Sequence, residues 1–294
     1  MNEILTGQPN ALLADLQLQP VGADRFRCLS GPSLNLPHVF GGQVLAQSLL
    51  AAGATIASRQ TPNSLHAYFL RAGDTMTPID YQVETIRDGR RLSCRSVTAT
   101  QHGRAIATVL ISFATTEGRL THQLPAPDAP PPEQVPEFAA AAEAWGGLGR
   151  SWQGLDAIEV RVEPHQSSGR PTAAESIDHI WLRALGSVGS DAPLLHAALL
   201  AYMSDITLIS AALVAHGIPL GQEEWAETTW NGVSLDHAIW FGRPARADDW
   251  LLFAQSSPQA FGGRALTQAD IFDRDGQLLA CTRQEGLIFD HQPD

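Results

Sequence analysis

The chain has 294 residues, is 44% hydrophobic and 17% charged, and carries a formal charge of −12. This is the composition of a folded chain long enough for two domains. The acidic balance excludes broad nucleic-acid binding, which needs a basic face to displace counterions. Cys28, Cys94 and Cys281 form no CxxC and no Cys/His spacing for a tetrahedral zinc site, so no metal is expected and the three are read as reduced core thiols.

At the N-terminus, Glu3 and Asp15 bracket a Leu-rich segment with no basic region before it, so a secretory signal is not expected and cytoplasm, or a similarly reducing compartment, follows. An apolar, small-residue helix is expected over Gly42 to Ile56, ahead of HAYFLR at 66–71. A strand with period-two alternation (Ile79, Tyr81, Val83) then leads to an Asp88–Gly89 turn and a strand from Arg91. A His102–Gly103 turn and the strand AIATVLISF, ending at Phe113, close this half. Arg87, Arg90, Arg91 and Arg95 crowd one hairpin, read first as a solvated turn and otherwise as a seat for nucleotide phosphates.

From Thr116 to about Leu155 the pattern lapses into Pro and Ala, which reads as a linker holding a short helix around Phe138 to Trp145. The first order of signals then returns: a helix over 194–214, HAIWFGR at 237–243, a strand from Trp250 to Gln255, a Gly262–Gly263 turn, a strand from Arg264, an Asp275–Gly276 turn and the strand LLACTRQEGLIF. Gly89 to Gly103 and Gly262 to Gly276 are both spaced by fourteen residues. Two copies of one unit are therefore expected, at residues 1–115 and 156–294, joined by 116–155. A helix apolar on all sides must be covered on all sides, so each unit is expected to be an antiparallel sheet wrapped around its helix, an α+β double-hotdog arrangement. Exposed sheet edges favour a homo-oligomer.

The segment 194–214 is nearly long enough to span a bilayer. Asp205 at its middle costs about 2.5–3.5 kcal/mol on insertion scales, so a buried helix is expected instead of membrane insertion. A carboxylate in such a helix must be paired, protonated or functional. Ser234, Asp236 and His237 suggest a serine hydrolase, but Gly232-Val233-Ser234-Leu235-Asp236 is not GxSxG, and His237 has a counterpart in His66 across the repeat, which favours a structural role at the strand start. Gln284 falls opposite Ile111 when the halves are aligned on Gly103 and Gly276, an apolar-to-amide change.

HVFGGQVLAQSLLAA at 38–52, HAYFLRAGD at 66–74, YMSDITLI at 202–209, LDHAIWFGRP at 235–244 and QEGLI at 284–288 together resemble the bacterial acyl-CoA thioesterase II family. Members of that family bind and activate a hydrolytic water with an Asp, a Thr and a Gln. The resemblance places these roles on Asp205, Ser234 and Gln284, with Ser keeping the hydroxyl and losing a methyl. It implies hydrolysis of acyl-CoA to free fatty acid and CoA with no cofactor. A hotdog hydratase or dehydratase using His196 or His237, or a non-catalytic acyl-CoA-binding protein, is the alternative.

Overall fold

In a computed structural model the chain is described at residues 11–28, 34, 36–56, 59–143, 146–152, 154–163, 178–218, 220–221 and 229–291. The first half runs α1 (Ala11–Asp15), β1 (Leu18–Gly22), β2 (Arg25–Cys28), α2 (Gly41–Gly53), β3 (Thr61–Phe69), β4 (Asp80–Arg87), β5 (Leu92–Gln101) and β6 (Arg104–Ala114). After α3 (Phe138–Glu143), the second half runs β7 (Ile158–Val162), β8 (Asp178–Ala184), α4 (Pro193–Met203), α5 (Ala211–Val214), β9 (Thr229–Ser234), β10 (Asp236–Phe241), β11 (Leu251–Phe261), β12 (Arg264–Phe272) and β13 (Leu278–His291). The short linker helix thus forms over Phe138–Glu143; its expected extension to Trp145 lies outside the described residues.

One antiparallel sheet contains all thirteen strands in the order β1-β2-β4-β5-β6-β3-β10-β13-β12-β11-β8-β7, with β9 added on β13. The halves join where β3 pairs with β10, Ala67 opposite His237 and Leu65 opposite Ile239. Alternation sets which residues face inward: after its exposed first residue β5 alternates buried with partly exposed positions, burying Val97 and Ala99 against α2. The hairpins at His102–Gly103 and Gly262–Gly263 take positive φ at both central residues, the two-residue turn whose twist matches the strands.

α2 and α4 lie side by side inside this sheet, and both are buried nearly all round. They run antiparallel: Gly42 at the start of α2 abuts Tyr202 near the end of α4, and Gly53 at the end of α2 abuts Leu194. Glycine is required at the first of these contacts because a Cβ on Gly42 would stand 2.5 Å from the backbone oxygen of Tyr202. Each half is a sheet wrapped on a central helix, and the whole is a double hotdog.

The single helix expected over 194–214 is two pieces. Beyond Met203 the backbone tightens, with Asp205 N–H bonding to Tyr202 O and Ile206 N–H to Met203 O in i→i−3 fashion. Ser204 donates its hydroxyl to Ala201 O, and Gln255 bonds both the hydroxyl and the carbonyl of Thr207. These side chains give the backbone alternatives to helix continuation, the usual behaviour of Ser, Asp and Thr. Among the described residues no helix is long and apolar enough to cross a membrane.

Candidate active site

Asp205 is the second residue beyond α4, 6% exposed, and its side chain reaches across to the start of α2. A Cβ on Gly41 would stand 2.5 Å from Asp205 Oδ2. The first N–H groups of a helix have no intrahelical acceptor, and Phe40 at the N-cap position supplies no side-chain cap. The carboxylate therefore sits at the positive end of the α2 dipole, where negative charge is favoured.

Gln284, on β13, is 1% exposed and joins the three expected residues. Its Nε2 donates to Asp205 Oδ1 at 2.6 Å and to Ser234 Oγ at 2.6 Å. The amide orientation follows from its partners, since the opposite flip would aim a carbonyl oxygen at a carboxylate. With both amide protons committed, Ser234 Oγ accepts from Gln284 and retains its own proton for another partner. Gln284 Oε1 is buried with no partner, an open acceptor at the same place.

Ser234 and His237 are three residues apart yet both turn toward this cluster. Strand alternation alone would send them to opposite faces. Between β9 and β10 the register on β13 slips by one residue, from Ser234 opposite Gly286 to Ala238 opposite Arg283. Leu235 is the extra residue, a bulge, and Asp236 Oδ1 accepts the Glu285 N–H beside it. Asp236 thus serves the bulge, and the Ser–His–Asp triad suggested by this segment is not assembled.

The first unit carries a matching slip between Pro62 and Ser64 on β6, with Asn63 extra. Aligning bulge with bulge places Pro62 opposite Ser234 and Leu65 opposite His237, and keeps Ile111 opposite Gln284. The expected match of His66 with His237 is therefore off by one. His66 points outward against Trp240, ring centroids 5.2 Å apart, while His237 points inward and is 1% exposed. Sequence could not show which face each histidine takes.

His196 is also buried, but both nitrogens are committed: Nδ1 accepts the Ala247 N–H, and Nε2 donates to Gly189 O. Its imidazole is held below the usual value for charging, chiefly by burial. In the arginine-rich hairpin, Arg95 is not solvated: its guanidinium is buried, bonding Thr55 Oγ1, Thr55 O and Arg87 O and pairing with Asp88. It stabilises the end of α2 and is committed against a phosphate role. No group of three or more His, Cys, Asp or Glu able to hold a metal occurs among the described residues.

Sequence reasoning missed Gly41, whose lack of a side chain lets Asp205 approach the helix start, and Ser204 and Thr282, whose hydroxyls both meet His237 Nε2 at 2.9 Å. The FGGQ motif was the available signal for the first; small hydroxyl residues on an apolar strand give almost none for the others.

A double hotdog with a buried carboxylate and amide and a half-buried hydroxyl gathered at a helix N-terminus defines the class, and comparison with known proteins defines the family. A model described as "Acyl-CoA thioesterase" matches residues 153–287, and one described as "Acyl-CoA thioesterase N-terminal domain" matches residues 32–114. "Acyl-CoA thioesterase 2" of Haemophilus influenzae is 35% identical over 293 residues, covering 98% of this chain and 99% of its own length. Human "Acyl-coenzyme A thioesterase 8" is 34% identical over 287 residues, covering 93% of this chain and 87% of its own. The crystal structure of an acyl-CoA thioesterase II, TesB2, from Mycobacterium marinum is 36% identical with a TM-score of 0.77, covering 96% of this chain and 100% of its own. The chain belongs to the acyl-CoA thioesterase family, a family of thioester hydrolases.

Proposed function

We propose that the protein hydrolyses fatty acyl-CoA to free fatty acid and CoA by direct attack of a water held among Asp205, Ser234 and Gln284. The observation that carries this reading is the Gln284 amide bridging Asp205 Oδ1 and Ser234 Oγ at 2.6 Å each, which leaves a carboxylate acceptor and a free hydroxyl proton on one small volume. A water there donates to Asp205 and accepts from Ser234, so its lone pair is directed and its proton has a destination. Asp205 is the general base; Ser234 and Gln284 orient, and no covalent acyl-enzyme forms. The N–H groups at the start of α2, which no side chain caps and beside which the carboxylate lies, suit the developing oxyanion. The second unit then supplies the base, amide and hydroxyl, while the first supplies the helix end; its own counterparts of Ser234 and Gln284, Pro62 and Ile111, have no side-chain donor, and residues 42–56 hold no carboxylate to match Asp205.

Thiol release from acyl-CoA substrates of increasing chain length, read beside enoyl-CoA absorbance, tests the reaction. CoA release supports hydrolysis; loss or gain of the enoyl chromophore without thiol identifies a hydratase or dehydratase, and binding with neither identifies a carrier. The same reading includes self-association, because the outer face of the central strands exposes Tyr68, Leu110 and Trp240. Sedimentation of a monomer at all accessible concentrations would contradict that part alone.

A further inference from the structure

His237 lies outside the trio, yet its surroundings are unlike those of a histidine that only fills space. The side chain has no solvent exposure, and three groups meet it: Ser204 Oγ and Thr282 Oγ1 at Nε2, each at 2.9 Å, and Asp205 Oδ1 at 3.5 Å from Nδ1. The hydroxyls settle where the imidazole proton sits. Each has one proton, and each has a backbone acceptor for it: Ala201 O at 2.8 Å for Ser204 and Ala238 O at 2.9 Å for Thr282. Both oxygens can then accept from a single Nε2–H, whereas a bare Nε2 could take a proton from only one and would face the lone pairs of the other. The arrangement that satisfies all four groups is the Nε2–H tautomer, with Nδ1 left as a buried lone pair that has no hydrogen-bond partner.

That lone pair faces a carboxylate oxygen. Two acceptors facing one another in a buried place is a costly arrangement, and one proton between them removes the cost. Asp205 is the charged partner of the ring: Asp236, next in sequence, is turned away to the Glu285 N–H, and Gln284 on β13 and Ala67 on β3 bring no charge.

We propose that His237 is the positioning partner of Asp205, with Nδ1 receiving through Oδ1 the proton that the carboxylate takes from the attacking water. This rests on the reading of Asp205 as the base. As the water oxygen bonds to the thioester carbon, its O–H bond breaks and the proton passes to Asp205. Moved on to Nδ1, it leaves an imidazolium hydrogen-bonded to a restored carboxylate, with Nε2–H still held by Ser204 and Thr282. When the C–S bond breaks, its electron pair goes to sulfur, and the proton returns through Asp205 to the thiolate. Carboxylic acid and CoA thiol leave, and the neutral ring and the carboxylate are regenerated.

Two amides separate the nitrogens. His237→Gln places its amide nitrogen near the Nε2 position, keeping a donor for Ser204 and Thr282 and leaving nothing at Nδ1. His237→Asn places its amide nitrogen near Nδ1, keeping a donor for Asp205 that cannot accept a proton. Both variants are expected to lose kcat by roughly 10²-fold, the low end for proton-transfer assistance, with KM little changed and an altered pH profile of kcat. Wild-type kcat and pH profile in folded His237→Gln would show that only the Nε2 contacts matter and would overturn the proposal. If neither variant folds, histidine 15N spectra of the wild type and Asp205→Asn decide it. A displaced Nδ1 resonance of His237 with Nε2 unchanged supports coupling to Asp205, and an unmoved Nδ1 overturns it. Wild-type turnover by Asp205→Asn defeats the base assignment itself, an outcome separate from any result at His237.

Discussion

Replacing Gly41 with alanine adds one methyl group at the point where the two units meet around Asp205. The new Cβ would stand 2.5 Å from Asp205 Oδ2 and 3.0 Å from Phe69 Cζ. The carboxylate is tethered to Gln284 and cannot swing freely, so relief requires it, or the start of α2, to retreat by about 1 Å, a misplacement that costs roughly 10²-fold in rate. Crowding costs about 1–3 kcal/mol of stability, offset in part by roughly 0.5–1 kcal/mol from replacing glycine in a helix. The expected variant is therefore folded, slightly less heat-resistant, and about two orders of magnitude slower in thiol release. Gly118→Ala is the control, because a Cβ there meets nothing within 4 Å. A folded Gly41→Ala enzyme with wild-type kcat/KM would refute the claim that the reaction depends on the close approach of Asp205 to the start of α2.

Ser234→Thr should stay active because the hydroxyl that accepts from Gln284 is retained, whereas Ser234→Ala should be impaired by roughly 10-fold or more, with loss of one orienting hydrogen bond; equal activity of alanine and serine would remove Ser234 from the site. Cys281 is a separate check on the packing of β13: burial, and then Asp270 beside it, push its thiol up to about 12. It should stay protonated, and so resist iodoacetamide, at pH 8 in the folded enzyme; rapid alkylation mapped to Cys281 by mass spectrometry would contradict that environment.

The repeat and the strand alternation were readable because they depend on local periodicity and on turn residues such as His102–Gly103 and Gly262–Gly263, whose positive φ is a local requirement. The gathering of Asp205, Ser234 and Gln284 was anticipated from resemblance, and it is the geometry that supplies the amide bridge between them. Residue spacing was blind to the bulges. Leu235 and Asn63 each shift the register by one, so the histidine landmarks that aligned the halves lie on opposite faces. Nor could apolar character alone show that the helix ends at Met203, since Leu208 and Ala211 to Val214 continue it in composition while Ser204 and Thr207 divert the backbone. Arg95 illustrates the same limit: in sequence it is one of four arginines on a hairpin, and only packing reveals that it turns inward to the end of α2.

The central claim is that Asp205 takes the proton from the attacking water, and single-turnover thiol release by Asp205→Asn tests it most directly. Asparagine preserves size, and its one carbonyl oxygen can still accept from Gln284, so the fold should persist while the base is lost. The account predicts a fall of at least ~10²-fold in the rate of the chemical step in a protein with unchanged secondary structure. A folded Asp205→Asn enzyme that releases CoA at the wild-type rate would contradict it.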